Sequence, residues 1–240
     1  MTRRGGRKHN EDACGHWDCG AHLCCVVADG AGGHGGGDKA SKLAVAGILG
    51  RFAEAPASSA PLIQELITAT NRAIIQHRAD GTAVQNMYST VVAMTIDLEH
   101  AAGLWGHSGD SRLYAFRGSR ISVRTRDHSL VQSLVDGGML AAEEMRSHPQ
   151  RSELLSALGV EQDDLQIAVT KEAWRLAPGD VFLLCTDGVW EYVDDAQLEA
   201  SLSEAAGPLE WLHMLEQRVL KAALKKPRHD NFTALTAWVR

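Results

Sequence analysis

His22-Leu23-Cys24-Cys25-Val26-Val27-Ala28-Asp29-Gly30 is a nearly continuous apolar run that stops at an acidic turn. It follows the turn-like Asp18-Cys19-Gly20, so the region 13–28 reads as a hairpin that ends at Asp29. A strand end followed by glycine is a tight turn that presents its carboxylate at the sheet edge. The same arrangement recurs along the chain. Asp110 and Asp187 each sit beside an apolar strand-like run, Asp230-Asn231 stands just before another, and Asn10-Glu11-Asp12 precedes the first hairpin. Hard divalent cations prefer oxygen ligands, so carboxylates converging from several strand ends suggest a binuclear site for Mg²⁺ or Mn²⁺. Each turn taken alone is an ordinary strand terminator; the set is what carries the reading.

Outward from this hairpin, residues 31–37 read as a flexible glycine loop. A helix follows from about Asp38 to Ala53, with Asp38 as its cap and Leu43, Ala46, Ile48 and Leu49 on one side. The Ala/Pro/Ser stretch 55–61 breaks it, and 62–78 is a second amphipathic helix through Leu62, Ile63, Leu66, Ile67, Ala73 and Ile74. Strands are expected at 89–97, 103–108 and 112–117, the last two joined across Gly109-Asp110-Ser111. Residues 128–158 read as helical with interruptions at Gly137-Gly138 and Ser147-His148-Pro149. Residues 165–174 and 181–186 read as a strand pair around Pro178-Gly179-Asp180. Helices at 195–206 and 208–224 and a closing strand at 232–239 complete the order. Paired strands and helix pairs in alternation give an α+β class with antiparallel sheets covered by helices.

The 240 residues carry a net charge of −6. There is no clustered basic face of the kind nucleic acid requires, and no stretch long enough to span a membrane, so neither partner is expected. Arg3, Arg4, Arg7 and Lys8 form a short basic start, read as a solvated tail. An odd number of cysteines and no apolar leader argue against a disulfide framework. Cys14, Cys19 and Cys24 are evenly spaced but form no CxxC pair, so buried thiols are expected rather than zinc. One domain over 1–240, in a cytoplasmic monomer, is the expectation.

Arg7-Lys8-His9-Asn10-Glu11-Asp12 joins a guanidinium, which can grip phosphate in a bidentate way, to an adjacent carboxylate pair. With Val27-Ala28-Asp29-Gly30-Ala31-Gly32-Gly33, Ser108-Gly109-Asp110-Ser111-Arg112, Arg126-Asp127-His128-Ser129-Leu130, His148-Pro149, Ser156-Ala157-Leu158-Gly159, Leu184-Cys185-Thr186-Asp187-Gly188-Val189-Trp190 and Asp230-Asn231-Phe232-Thr233, the ordered set resembles the metal-dependent protein serine/threonine phosphatases. This is the PPM or type-2C family, and the resemblance is to its compact bacterial branch.

The resemblance implies a four-layer α/β/β/α sandwich with two Mn²⁺ or Mg²⁺ ions at one end of its two antiparallel sheets. It implies that Asp29 bridges the ions with the Gly30 carbonyl on one of them, and that Asp187 and Asp230 complete the other. It gives Glu11 and Asp12 a role through water, Arg7 the phosphate clamp, and Asp110 a third, weaker ion. Residues 128–158 correspond to a flap beside the site. Where many relatives place a histidine after Asp-Gly this chain has Ala31, which leaves His34 or His148 as the general acid. Only six residues precede Arg7, so the family's first edge strand is expected to be clipped or absent. The implied substrates are proteins phosphorylated on Ser or Thr, opposing a bacterial Ser/Thr kinase. A catalytically weak phosphoprotein-binding fold is the rival reading, and a two-metal enzyme acting on small phosphate esters is a third.

Overall fold

Strand β3, His22–Ala31, is buried on both faces, and this explains its lack of alternation. Cys24, Val26 and Ala28 enter one apolar layer while Cys25 and Val27 enter another. The computed structural model describes residues 1–32, 36–80, 86–224, 226 and 229–240. In chain order the strands are β1 (Thr2–Arg3), β2 (Asp12–Asp18), β3, β4 (Tyr88–Ser89), β5 (Val91–Asp97), β6 (Ala102–Ser108), β7 (Arg112–Arg117), β8 (Arg120–Arg124), β9 (Ala168–Val169), β10 (Trp174–Arg175), β11 (Val181–Cys185) and β12 (Phe232–Trp238). The helices are α1 (Gly36–Glu54), α2 (Ala60–Ala79), α3 (Leu130–Asp136), α4 (Asp187–Trp190), α5 (Asp195–Glu204) and α6 (Pro208–Ala223).

One antiparallel sheet has the order β10-β6-β5-β3-β2, with β4 paired to β3 and β9 to β6; the other has the order β1-β12-β11-β7-β8. An apolar layer joins the first sheet to α1 and α2 through Val26, Ile48, Phe52, Ile63 and Ile67. A second layer lies between the sheets, through Val27, Val92, Leu113, Phe182 and Leu184. A third joins the other sheet to α5 and α6 through Tyr114, Leu183, Leu198, Trp211 and Leu215. This is the α+β, four-layer α/β/β/α arrangement expected. Each such side chain contributes on the order of 1.5–3 kcal/mol when fully buried, so the three layers dominate the stability.

Several local expectations are corrected. The N-terminal edge strand is present: Thr2 pairs with Thr233 and Arg3 with Phe232. β6 and β7 are not a hairpin; the chain leaves one sheet at Ser108 and enters the other at Arg112. Residues 165–174 and 181–186 do not pair either. β9 and β10 lie along β6, whereas β11 sits between β7 and β12. The segment 128–158 is mostly irregular, with α3 and a 3₁₀ turn at Ala142–Ser147 as its helical parts, because Gly137-Gly138 and Pro149 interrupt the periodicity. Ala46 and Ala73 are exposed rather than on the buried faces of α1 and α2.

β3 runs on to Ala31 and α1 begins at Gly36, so Asp38 lies in the helix's first turn, paired with Lys42, rather than at its cap. Gly33 and His34 lie outside the described residues. All five cysteines are free; Cys24, Cys25 and Cys185 are buried, Cys14 is half-buried and Cys19 is exposed. Among the described residues, no helix is long and apolar enough to cross a membrane.

Candidate metal centre

A cleft of about 870 Å³ opens at one end of the two sheets. Glu11, Asp29, Gly30 and Asp110 line it from the side of β2, β3 and the β6–β7 crossing; Asp187 and Asp230 line it from the ends of β11 and β12. Arg7 lies at its edge, and Ser152 and Leu154 reach it from the 128–158 segment. The carboxylates expected from the sequence are therefore brought together from both sheets.

Most are held through their main chain. Asp29 donates its backbone N–H to Thr90 Oγ1 (3.0 Å), and its carbonyl accepts from Thr90 N (2.8 Å) and Ser89 Oγ (3.0 Å). Gly30 lies so close to α1 that a Cβ there would come within 2.1 Å of the Gly37 carbonyl oxygen, so any side chain would displace the helix. Thr90 Oγ1 also meets Ser111 Oγ at 2.7 Å, tying Asp29's support to the turn that carries Asp110. The Asp110 carbonyl accepts from Trp190 Nε1 at 3.0 Å. Arg112 lies over the Trp190 ring at 3.6 Å and forms a buried two-pronged pair with Asp127, at 2.8 and 2.7 Å.

Asp187 opens α4 rather than a simple turn, and the Glu191 N–H bonds its carbonyl at 2.8 Å. Asp12 is 5 % exposed, lies beneath the cleft and accepts from Thr186 Oγ1 at 2.9 Å. Thr186 in turn accepts from the Thr233 N–H at 3.0 Å. One threonine thus joins a carboxylate of the first sheet to two strands of the second. Asn231 organises the rim. It accepts from the Glu11 N–H (2.8 Å) and donates to the carbonyls of Arg4 (2.7 Å) and His9 (2.9 Å). Arg7 Nη2 bonds Asp230 Oδ2 at 2.5 Å.

Burial and mutual repulsion hold protons on this cluster. Burial first, then Asp12, Asp187, Asp110 and Asp230, drive the Asp29 carboxyl well above the usual carboxylate range. Burial, then Asp110, Asp230 and Glu191, do the same to Asp187. Asp110 is pushed up to about 7 by burial and by Asp127, against the pull of Arg112. Asp12 is pushed up to about 6, mainly by burial. Asp12 Oδ1 and Asp187 Oδ1 are buried with no hydrogen-bond partner among the described residues. Unpaired acceptors crowded at such cost are the complement of a cation. Among the described residues no three His, Cys, Asp or Glu side chains close into a cage by themselves. Mg²⁺ keeps several waters and needs only one or two carboxylates, so the donors present suit it and Mn²⁺.

His148 is not brought into the cleft. It caps the 3₁₀ turn, and its Nδ1 accepts from the Gln150 N–H at 3.2 Å. The sequence reading assigned no role to Thr90, Ser111 or Asn231. For Asn231 the signal was available, since an amide between an acidic turn and a strand can satisfy several main-chain groups at once. Thr90 and Ser111 gave none, because their contact joins residues far apart in the chain.

Residues 2–226 match the protein phosphatase 2C family. The chain is 31% identical to the serine/threonine phosphatase stp of Listeria innocua over 202 residues, covering 82% of this chain and 78% of that protein. It is 34% identical to the serine/threonine protein phosphatase PstP of Mycobacterium tuberculosis over 236 residues, spanning 96% of this chain and 42% of that longer protein. The crystal structure of the M. tuberculosis phosphatase superposes with a TM-score of 0.85 at 30% identity, covering 100% of this chain and 97% of that one. The catalytic domain of PstP in complex with two manganese ions superposes with a TM-score of 0.78 at 26% identity, covering 100% of this chain and 96% of that one. The chain belongs to the protein phosphatase 2C family.

Proposed function

We propose that this chain is a metal-dependent protein serine/threonine phosphatase, acting through one phosphatase domain over residues 1–240. The observation that carries the reading is the convergence of Asp29, Asp110, Asp187 and Asp230 on one cleft, beside Arg7, with the buried Oδ1 atoms of Asp187 and of the underlying Asp12 left unpaired. Asp29, the Gly30 carbonyl, Asp187 and Asp230 would hold two Mn²⁺ or Mg²⁺ ions, Glu11 and Asp12 would act through water, and Asp110 would serve a third. When bound, such ions make water a nucleophile near neutral pH and neutralise charge on phosphoryl oxygens.

The chain's own groups do the rest. Arg7, at the cleft edge and half exposed, supplies a forked donor for the phosphate that a lysine could not match. In the structure one arm of that fork, Nη2, bonds Asp230 Oδ2. The supports around Thr90, Thr186 and Asn231 fix the carboxylates before substrate arrives, which is where electrostatic catalysis gains most. A fold kept only for binding phosphoproteins has no need of buried carboxylates left unpaired, so turnover is the better reading. The substrates are phosphoserine and phosphothreonine proteins, and the kinase opposed is a Ser/Thr kinase. We assign the chain to the cytoplasm as a monomer.

Hydrolysis of a phosphothreonine peptide with added Mn²⁺ tests this directly: phosphate release that stops on chelation is expected. Activity indifferent to chelator, or none with Mn²⁺ supplied, overturns it.

A further inference from the structure

The short basic start is not a solvated tail. Met1 is tied by its N-terminal ammonium to the Ala234 carbonyl (2.7 Å), and Thr2–Arg3 is a strand of the second sheet. The next residues form a fixed turn. Asn231 grips the carbonyls of Arg4 and His9, the Gly6 N–H bonds the His229 carbonyl at 3.0 Å, and the Arg7 N–H reaches the Arg4 carbonyl at 3.4 Å. Gly5 has φ +62, and a Cβ there would stand 2.1 Å from the Asp230 carbonyl oxygen, so this backbone path fits only glycine.

This turn carries Arg4 and Lys8 outward. With Gly6 and Arg7 they line a recess of about 420 Å³, and Arg7 and Lys8 also line the main cleft, so the two cavities adjoin. Most arginines of this acidic chain have carboxylate partners, as in Arg3–Glu216, Arg117–Asp180 and Arg120–Glu199. Among the described residues, the side chains of Arg4 and Lys8 have none. Two unpaired cations, on a turn held by main-chain bonds, sit against a floor built of carboxylates. An anion arriving beside the phosphate under attack meets two unpaired cations at this turn.

We propose that the Arg4–Lys8 turn is a second anion subsite. It takes an acidic or phosphorylated side chain of the substrate, one to three residues from the phosphoryl group under attack. This rests on the phosphatase reading of the cleft, and it narrows the substrate class to phosphoproteins with a second anion close by. The recess and the cleft share Arg7 and Lys8, so a near neighbour of the phosphorylated residue, at about 3.3 Å per extended residue, is the part of the chain that meets it.

Three peptides with one phosphothreonine test it: one with neutral neighbours, one with glutamates on both sides, and one with a second phosphothreonine. At low salt the wild-type protein with Mn²⁺ should show a KM about three- to tenfold lower for at least one anionic peptide than for the neutral one, as two exposed charge pairs allow. Preference for both anionic peptides marks a general anion subsite, and preference for the doubly phosphorylated one alone marks a phosphate subsite; either supports the proposal. In Arg4→Gln/Lys8→Gln the preference should vanish, and Arg4→Gln alone, outside the main cleft, should weaken it with p-nitrophenyl phosphate turnover unchanged. No preference in the wild type, or its survival in the double variant, overturns the subsite. Fluorescence anisotropy of the same labelled peptides needs no turnover. Absent hydrolysis with the binding preference intact overturns the phosphatase reading alone.

Discussion

Asp12 and Asp29 stand directly opposite each other on β2 and β3. Like charges in such a cross-strand position are destabilising, and burial adds to the cost. In the metal-free protein the cluster therefore keeps protons that the unfolded chain would release near pH 3.9. Carboxyls whose folded pKa is raised contribute stability at low pH that is lost as pH rises through the folded value. For Asp12 this lies at about 6, for Asp110 at about 7, and for Asp29 and Asp187 higher than the ordinary range. Burial works oppositely on His107 and His128, holding them neutral, His128 down to about 4; their contribution is lost as pH falls below about 6.5. With four carboxyls raised against two histidines lowered, the carboxyls win, and melting of chelated protein should fall as pH rises from 5 to 8. Calorimetry from pH 5 to 8 reads it; a monotonic rise to pH 8 contradicts the assignment.

Divalent cation should oppose that fall. Mg²⁺ or Mn²⁺ should raise the melting temperature more at pH 8 than at pH 6, because binding competes with protons for the same oxygens. Asp187→Asn should lose both the metal-induced rise and turnover. Its metal-free form should melt at or above the wild-type temperature at pH 8, since the amide has no proton to hold against rising pH.

Arg7→Ala separates substrate engagement from metal binding. A lost charged hydrogen bond costs about 1.5–3 kcal/mol, so kcat/KM should fall roughly 10- to 100-fold. The metal-induced thermal shift should remain, because Arg7 contributes no oxygen ligand. An equal loss of metal affinity would contradict the role given to it.

Glycine positions give a stability contrast. A Cβ at Gly188 would lie 1.9 Å from the Asn231 carbonyl oxygen, so Gly188→Ala should push β12 away from α4 and leave little soluble protein. Gly50, inside α1 with open space around it, should instead gain about 0.5–1 kcal/mol on change to Ala. Expression yield and denaturant melts of the two variants decide this.

His148→Ala should leave kcat within about twofold, since the ring is engaged by its own turn and lies outside the cleft. A large drop in kcat with an altered pH profile would return it to the reaction.

The carboxylates and the layer order were legible in the sequence because both have local signatures. The runs 23–28 of β3 and 181–185 of β11 are apolar and alternate between two cores, and each acidic turn adjoins a strand end. Pairing was not legible. Gly109-Asp110-Ser111 has the composition of a hairpin turn, yet Gly109 at φ +99, packed against Thr90, carries the chain from one sheet to the other. The sequence around Pro178 likewise shows a turn but not that its flanking strands pair elsewhere. The basic start looked like a tail because its restraints, Asn231 and the β12 edge, lie more than two hundred residues away.

The crossing at Asp110 and the Asp12–Thr186 bond mean that neither sheet owns the centre. A chain with only the first sheet formed offers Asp12 and Asp29; one with only the second offers Asp187 and Asp230. Cation uptake then marks completed assembly. A fault anywhere in the layer between the sheets, even at distant Phe182 or Trp105, would surface first as a failure to load the ion.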